Sequence, residues 1–334
     1  MSRAPSIAVY YEHPDWFRPL FRELDRRGAR TVRVHAAHHR FDPADPARDL
    51  GGADLVFNRM SPSAWKRGAA HAVFHTAHWL AALEHANVPV VNGAAIFAFE
   101  ISKALQVAAL ARLGVPVPRT RVVNRAEELS EAAAALEFPV VVKPNVGGSG
   151  AGIRRFDDAR ALDRARESGE LALGLDGTLL LQEYHPPRGG SIVRVDTLEA
   201  RYLYGIRIHL GGHAGFDLCP ADVCRTTDGV AIATEACPVE SAKAGLTVER
   251  FEPPLKIVHA VERIARATSL DVGGIEYLES ERDGQVYFYD VNALSNFVAE
   301  GERVVGFDPT ARLVEALIER ARGAAPVAAE RRRA

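Results

Sequence analysis

Gly274-Ile275-Glu276-Tyr277-Leu278 and Tyr287-Phe288-Tyr289-Asp290-Val291-Asn292, linked through Arg282-Asp283-Gly284-Gln285, form the stretch whose reading decides the fold. Asp-Gly between two apolar runs is a strong hairpin signal, so the pattern predicts antiparallel strands over 272–279 and 285–291. Residues two apart on a strand share a face, which aligns Asp290 with Asn292 and lets Glu276 join them from the partner strand. Acids inside such apolar strands are costly to bury unless something compensates their charge. Two carboxylates and an amide oxygen make a hard-oxygen set suited to Mg²⁺, with positions left for water and phosphate oxygens.

Upstream lies Lys143-Pro144-Asn145-Val146-Gly147-Gly148-Ser149-Gly150-Ala151-Gly152, following the apolar run Pro139–Val142. Closely spaced glycines let backbone amides turn toward an anion, and a hairpin tip can fold over a phosphate chain. No Lys-Ser/Thr pair follows the last glycine, so this is not a Walker loop. Lys143 instead closes the preceding strand, within reach of the same phosphates. A flexible hairpin beside a surface lysine fits the segment equally well. Between these two regions, Leu179-Leu180-Leu181-Gln182-Glu183-Tyr184 reads as an apolar strand ending in a polar pair. It is either an ordinary strand end or an edge offering backbone groups to a base.

The first ninety residues alternate in kind. Strand-like runs at 6–11, 30–36, 53–58 and 88–92 are separated by helical spacing at 15–27 and 64–86, which predicts a mostly parallel α/β sheet. The first turn, Tyr11-Glu12-His13-Pro14-Asp15, has no glycine, so the dinucleotide fingerprint is absent. A helix is predicted over 96–113, then strand 119–123, helix 126–136, strand 152–156 and helix 157–168. From 178 onward strands dominate (178–184, 191–197, 202–209), with helices at 253–269 and 308–322. This second part is α+β material. The predicted boundaries fall near 95 and 175, giving segments 1–95, 96–175 and 176–323, with 324–334 expected to be a flexible tail.

Composition narrows the function class. The net charge of −2 gives no basic field for nucleic acid or an anionic membrane. No run approaches the roughly 18 apolar residues of a membrane span, and the N-terminus has no apolar signal region. Cys219, Cys224 and Cys237 suit a reducing, cytoplasmic setting better than a disulfide framework, and His213 lies at no familiar zinc spacing from them. His71, His75 and His78 share one helix face, as a half-buried polar stripe would, without a fourth metal ligand in view. Of 41 basic residues only five are lysine: Lys66, Lys103, Lys143, Lys243 and Lys256. A lysine kept amid so much arginine suggests a need for its compact ammonium group.

Taken in order, these segments resemble the ATP-grasp superfamily. They are most similar to the glutamate-adding ligases that modify ribosomal protein and to their relatives in lysine biosynthesis. D-alanine–D-alanine ligase and glutathione synthetase are more distant. The resemblance runs from about Asp54 to Asp308. It includes Asp54-Leu55-Val56-Phe57-Asn58-Arg59-Met60-Ser61, Val91-Asn92-Gly93, Ser102-Lys103 and Leu113-Gly114-Val115-Pro116-Val117-Pro118-Arg119-Thr120, besides the segments above. It implies a Rossmann-like preliminary domain, a small lid carrying the glycine loop and a C-terminal metal-binding domain.

The resemblance also implies roles. Lys103, Lys143 and the loop residues Gly147, Gly148, Ser149 and Gly150 would meet ATP phosphates, with Gln182, Glu183 and Tyr184 beside adenine. Glu276, Asp290 and Asn292 would hold two Mg²⁺ ions, with Mn²⁺ a possible substitute and Asp290 the bridging ligand. The family's usual order of Asp then Glu is exchanged here, and Ser102 stands where many relatives have Asp. Gly274 replaces the arginine of D-alanine ligases, so Arg194 and Arg207 on intervening strands are the candidate oxyanion-stabilising residues. The implied reaction joins a small-molecule carboxylate to an amine, an amino acid or peptide, through an acyl phosphate. Arg59, Arg207 and Arg225 are candidates for binding an acidic substrate. A phosphotransferase acting on a small molecule and a non-catalytic nucleotide-binding module share the same residues, and homo-oligomerisation stays open.

Overall fold

The computed structural model describes residues 3–13, 15–148, 150–211, 215–216, 247–294, 296–298 and 301–324. Ser149, His213, Cys219, Cys224, Arg225 and Cys237 lie outside the described residues.

The chain begins with β1 (Ser6–Tyr11), α1 (Arg18–Arg26), β2 (Arg30–His35), β3 (Leu55–Arg59), α2 (Ala70–His85) and β4 (Val90–Val91), whose strands form a parallel sheet ordered β2-β1-β3-β4. Alternation along β1 explains why Ser6–Tyr10 is buried throughout. Ile7 and Val9 face α1, while Ala8 and Tyr10 face Trp79, Leu80 and Leu83 of α2. The same outer face receives Leu313, Leu317 and Ile318 of the final helix, so the two ends of the chain share a core. Full burial of each such side chain contributes about 1.5–3 kcal/mol.

Two helices expected to be continuous are broken. Gly68, at φ 78°, separates a short turn over Pro62–Arg67 from α2. The 96–113 segment divides into α3 (Ala94–Glu100) and α4 (Lys103–Arg112), bent by 108°. Ser102 causes the second break: its extended backbone ends α3, and its Oγ accepts the Leu105 amide at 3.2 Å as the N-cap of α4. Lys103 therefore opens a helix instead of lying within one.

A second sheet, ordered β5-β8-β6-β7, is built from β5 (Thr120–Val123), β6 (Val140–Pro144), β7 (Arg154–Phe156) and β8 (Leu179–Glu183). It is backed by α5 (Leu129–Ala133) and α6 (Ala159–Glu167) around Leu129, Leu162, Val142 and Leu181. This sheet takes in a strand beyond residue 175, because β8 pairs with both β5 and β6.

The third sheet is antiparallel, ordered β11-β10-β9-β12-β13, from β9 (Ser191–Leu198), β10 (Arg201–His209), β11 (Thr247–Arg250), β12 (Val272–Glu279) and β13 (Val286–Asn292). Helices α7 (Leu255–Ala267), α8 (Gly301–Val305) and α9 (Pro309–Gly323) complete the described elements. Strand β11 and helix α8 carry no clear pattern in the sequence. Asn92, fully buried with φ 54°, ties the first sheet to the third: its Nδ2 donates to Val272 O at 2.8 Å and Ala293 O at 2.7 Å. No single helix among the described residues is long and apolar enough to cross a membrane.

Candidate active site

A cavity of about 710 Å³ opens between the second and third sheets, within the range typical of small-molecule sites. Its third-sheet wall follows from strand register. Asp290, Glu276, Arg194 and Ile206 stand side by side across β13, β12, β9 and β10. A bulge between Glu276 and Tyr277 leaves Tyr289 unpaired, and Tyr289 lines the cavity beside Asp290. Asn292 donates through Nδ2 to Asp290 Oδ2 at 3.0 Å and to Glu276 Oε1 at 3.4 Å. Burial pushes the Glu276 pKa up, opposed by Arg194 and Lys103.

A cation would relieve that burden and suits the donor set, provided the Asn292 amide turns its oxygen inward. Among the described residues no three His, Cys, Asp or Glu side chains are grouped to hold a metal. The two carboxylates would therefore need the amide and oxygens from a phosphate or water.

Lys103 reaches this wall from the start of α4 and pairs with Asp290. Gln106, one turn on, fixes the helix to β13: its Nε2 donates to Val291 O at 3.0 Å and its Oε1 accepts the Val291 amide at 3.2 Å. Asn145 fixes the other side, since its carbonyl accepts the Lys103 amide and its Oδ1 the Ala104 amide at 2.8 Å. Lys143 projects from β6, 2.9 Å from Gln182 Oε1. Burial, with the nearby charge of Lys103, lowers its pKa to about 7. Burial lowers that of Lys103 too, opposed by Glu100 and Glu276.

The glycine loop passes close to Lys103 and Ser63. An added Cβ at Gly147 would lie 3.6 Å from Lys103 Cε, and one at Gly148 (φ 152°) only 2.6 Å from Ser63 Cβ. Gly150 and Gly152, at φ 67° and 76°, continue the described part of the turn. The hinge-strand side chains divide their work. Gln182 accepts from Lys143 and donates to Thr120 Oγ1 at 2.8 Å. Glu183 accepts the Glu137 amide at 2.8 Å and faces Arg119 at 3.3 Å. Tyr184 lines the cavity under the Arg155 guanidinium, 4.6 Å from its ring centre.

The two candidate arginines part company. Arg194 is buried at the cavity floor, donating to Asp196 at 2.7 and 3.0 Å and to Asn296 O at 3.2 Å. Burial works to lower its pKa, but Asp196 outweighs that effect and raises it, so the guanidinium stays charged. Arg207 is not brought to the site. Its row runs Phe288, Tyr277, Val193, Arg207, Glu249 on the opposite face of the sheet, because alternate residues of a strand point opposite ways. There its guanidinium packs 4.0 Å over the ring of Phe251. Arg59 is buried near the floor, donating to Asn296 Oδ1 at 3.0 Å.

Comparison with known proteins fits this geometry. Residues 102–176 match the family model of the carbamoyl-phosphate synthase L chain, ATP binding domain. Three solved structures are similar in fold over nearly the full chain. The ATP-grasp ligase PsnB, complexed with a minimal precursor, Mg and ADP, aligns over 96% of this chain and 99% of its own, with TM-score 0.63 and 20% identity. A RimK domain ATP-grasp protein from Sphaerobacter thermophilus covers 93% and 99%, with TM-score 0.63 and 20% identity. D-alanine–D-alanine ligase from Bacillus anthracis, complexed with ATP, covers 96% and 98%, with TM-score 0.64 and 17% identity.

The chain has an ATP-grasp fold.

A curated relative, cyanophycin synthetase from Trichormus variabilis, is 34% identical over 88 residues, 26% of this chain. That match spans only about a tenth of the relative's length. Several residues of the ATP-grasp cavity escaped the sequence reading. Asp196 and Asn296 lie outside any motif, and the bulge that exposes Tyr289 leaves no mark in the alternation. Glu100 did leave a signal: it is an acid closing the otherwise apolar helix Ala94-Ala95-Ile96-Phe97-Ala98-Phe99.

Proposed function

We propose that this chain is an ATP-dependent carboxylate–amine ligase that forms an amide through an acyl phosphate and releases ADP and phosphate. One observation carries the reading: two lysines from different elements, Lys143 buried and Lys103 half-buried, share one cavity with Glu276, Asp290 and Asn292 beside a glycine loop. In this proposal residues 1–95 form the preliminary domain, 96–175 with β8 the lid, and the remainder to 323 the metal-binding part.

Phosphoryl transfer demands charge neutralisation more than covalent help from the protein. Lys103 and Lys143 would face the phosphates, with amides of Gly147, Gly148 and Gly150 above them. Two Mg²⁺ ions, or Mn²⁺ in their place, would be held by Glu276, Asp290 and Asn292 and would neutralise the phosphate oxygens. Adenine would lie against Tyr184 and the backbone of Gln182 and Glu183. Arg194 would donate to the oxyanion as the amine adds, a task best done by a fixed, desolvated donor. Closure of the loop keeps water from the acyl phosphate.

The decisive measurement is ADP and phosphate release across a panel of carboxylates, each with and without amines. Amine-dependent turnover supports the proposal. A stable phosphorylated product with no amine dependence replaces it with a phosphotransferase.

A further inference from the structure

An amine meets the cavity at neutral pH as an ammonium, since amino groups hold their protons to about pH 8–10. It cannot attack a carbonyl until one proton leaves, so a base must take it, and a carboxylate lining the cavity can do so. Five described carboxylates line the cavity: Glu100, Asp157, Glu183, Glu276 and Asp290. Asp157 sits at the lid rim, paired with Arg155 at 2.7 Å. Glu183 is held by the Glu137 amide and Arg119. Glu276 and Asp290 face one another across the proposed cation site.

Glu100 is left. It ends α3, is 8% exposed, and lines the cavity together with Ser61, Ser63 and Asn296. Among the described residues its one hydrogen-bond donor is the Ala293 amide, 2.6 Å from Oε2. The charged groups around it are Lys103 from α4, Arg59 from β3 and Arg194 from β9. Burial raises its pKa, and these groups with the Ala293 amide pull it partly back, leaving a stronger base than a surface carboxylate.

Resting on the ligase reading above, we propose that Glu100 binds the incoming ammonium group and accepts its proton. The carboxylate takes one proton from R–NH₃⁺, giving Glu100–COOH and R–NH₂. The nitrogen lone pair then forms the C–N bond at the acyl-phosphate carbon. As the tetrahedral adduct collapses, the carbon–oxygen bond to phosphate breaks. Phosphate leaves with that electron pair and accepts the second nitrogen proton. Glu100 returns its own proton to solvent when the products depart.

Glu100→Gln tests this, because the amide can still accept from the Ala293 amide but cannot take a proton. Hydroxylamine is largely uncharged at pH 7 and traps acyl phosphates as hydroxamates without needing a base. Hydroxamate formation from carboxylate and ATP should stay within about threefold of wild type, while ligation to an ordinary amine falls about 100-fold or more. The lost rate should recover as pH rises toward the amine's own pKa, and Glu100→Asp should retain part of the activity. Unchanged amine ligation in Glu100→Gln overturns the assignment. So does an equal loss of hydroxamate and amide in both variants, which would mark Glu100 as a structural residue. A wild-type protein that makes neither hydroxamate nor amide from any substrate instead removes the ligase reading itself.

Discussion

The guanidinium of Arg194 occupies the space above Gly274: a Cβ added there would lie 2.5 Å from Arg194 Nε and 2.7 Å from Cζ. Residue 274 is opposite Asp196 on the neighbouring strand, so an arginine on β9 fills the volume that a side chain on β12 would need. The glycine and the arginine are one unit. Gly274→Ala should push Arg194 off Asp196 and Asn296 and lower ligase turnover by roughly tenfold or more. Added to Arg194→Ala, the same substitution should cost almost nothing further, because the clash has no target. Additive losses in that double-mutant cycle would show that residue 274 acts by another route.

Lys143 titrates near neutrality in the nucleotide-free protein, its pKa lowered to about 7 by burial and by Lys103. Phosphate binding requires the ammonium form, so binding should draw in a proton above that pH. Affinity for ADP or ATP should weaken by up to about tenfold per unit above pH 7. Calorimetry in buffers of different ionisation heats should report proton uptake that vanishes in Lys143→Met. The stability consequence has the opposite sense. Between pH 7 and about 10.5 the unfolded chain holds more protons at this lysine, so its contribution to folding stability rises with pH. Lys143→Met should therefore stabilise the free protein most near pH 7 and below, and a flat difference across pH would refute the assignment.

Lys143 and Lys66 separate a required ammonium from an incidental one. Lys143 is buried against Gln182, whereas Lys66 lies in the turn before α2 and is only half-buried. Arginine keeps the charge but carries a larger, planar head that the Gln182 contact does not accommodate. Lys143→Arg should cut turnover at least tenfold, while Lys66→Arg should be nearly silent. Equal tolerance would mean that arginine-rich composition says nothing about where lysine is needed.

Much of this was legible because the relevant patterns are local. The Asp-Gly turn and two-residue spacing foretold the hairpin, and the register does set Glu276 opposite Asp290. Strand alternation in the first ninety residues likewise foretold the parallel sheet. What stayed hidden depends on contacts far apart in sequence. Arg207 and Arg194 look equivalent on the page, and only the pairing of β9 with β10 and β12 reveals that they face opposite ways. The break at Ser102 is intermediate: apolar spacing carries through it, yet serine before a helical run is a start signal that outweighed the spacing.

That break makes Ser102 testable. Its Oγ caps α4 through the Leu105 amide, one residue before Lys103. Ser102→Ala should lower stability by about 1 kcal/mol and raise the KM for ATP, as the first turn of α4 loosens. Aspartate caps as well as serine, so Ser102→Asp should leave both thermal stability and KM near wild type. An aspartate variant as impaired as the alanine one would mean that the hydroxyl does something other than cap the helix.

Gly148 is where the loop meets the first part of the chain. A Cβ there would stand 2.6 Å from Ser63 Cβ and 2.8 Å from Ser63 Cα, with the backbone at a φ of 152° that side chains avoid. Backbone on the far side cannot yield as a side-chain tip would, so Gly148→Ala should hold the loop away from Ser63. No buried core depends on this contact, and the melting temperature should change little. Coupling should suffer instead. A loop that no longer seals admits water to the acyl phosphate, and ADP would then be released without amide. The measurement is the ratio of ADP to amide formed, expected near one for the wild type and well above one for Gly148→Ala. A ratio that stays at one while turnover falls would place the glycine's role in phosphate binding and not in excluding water.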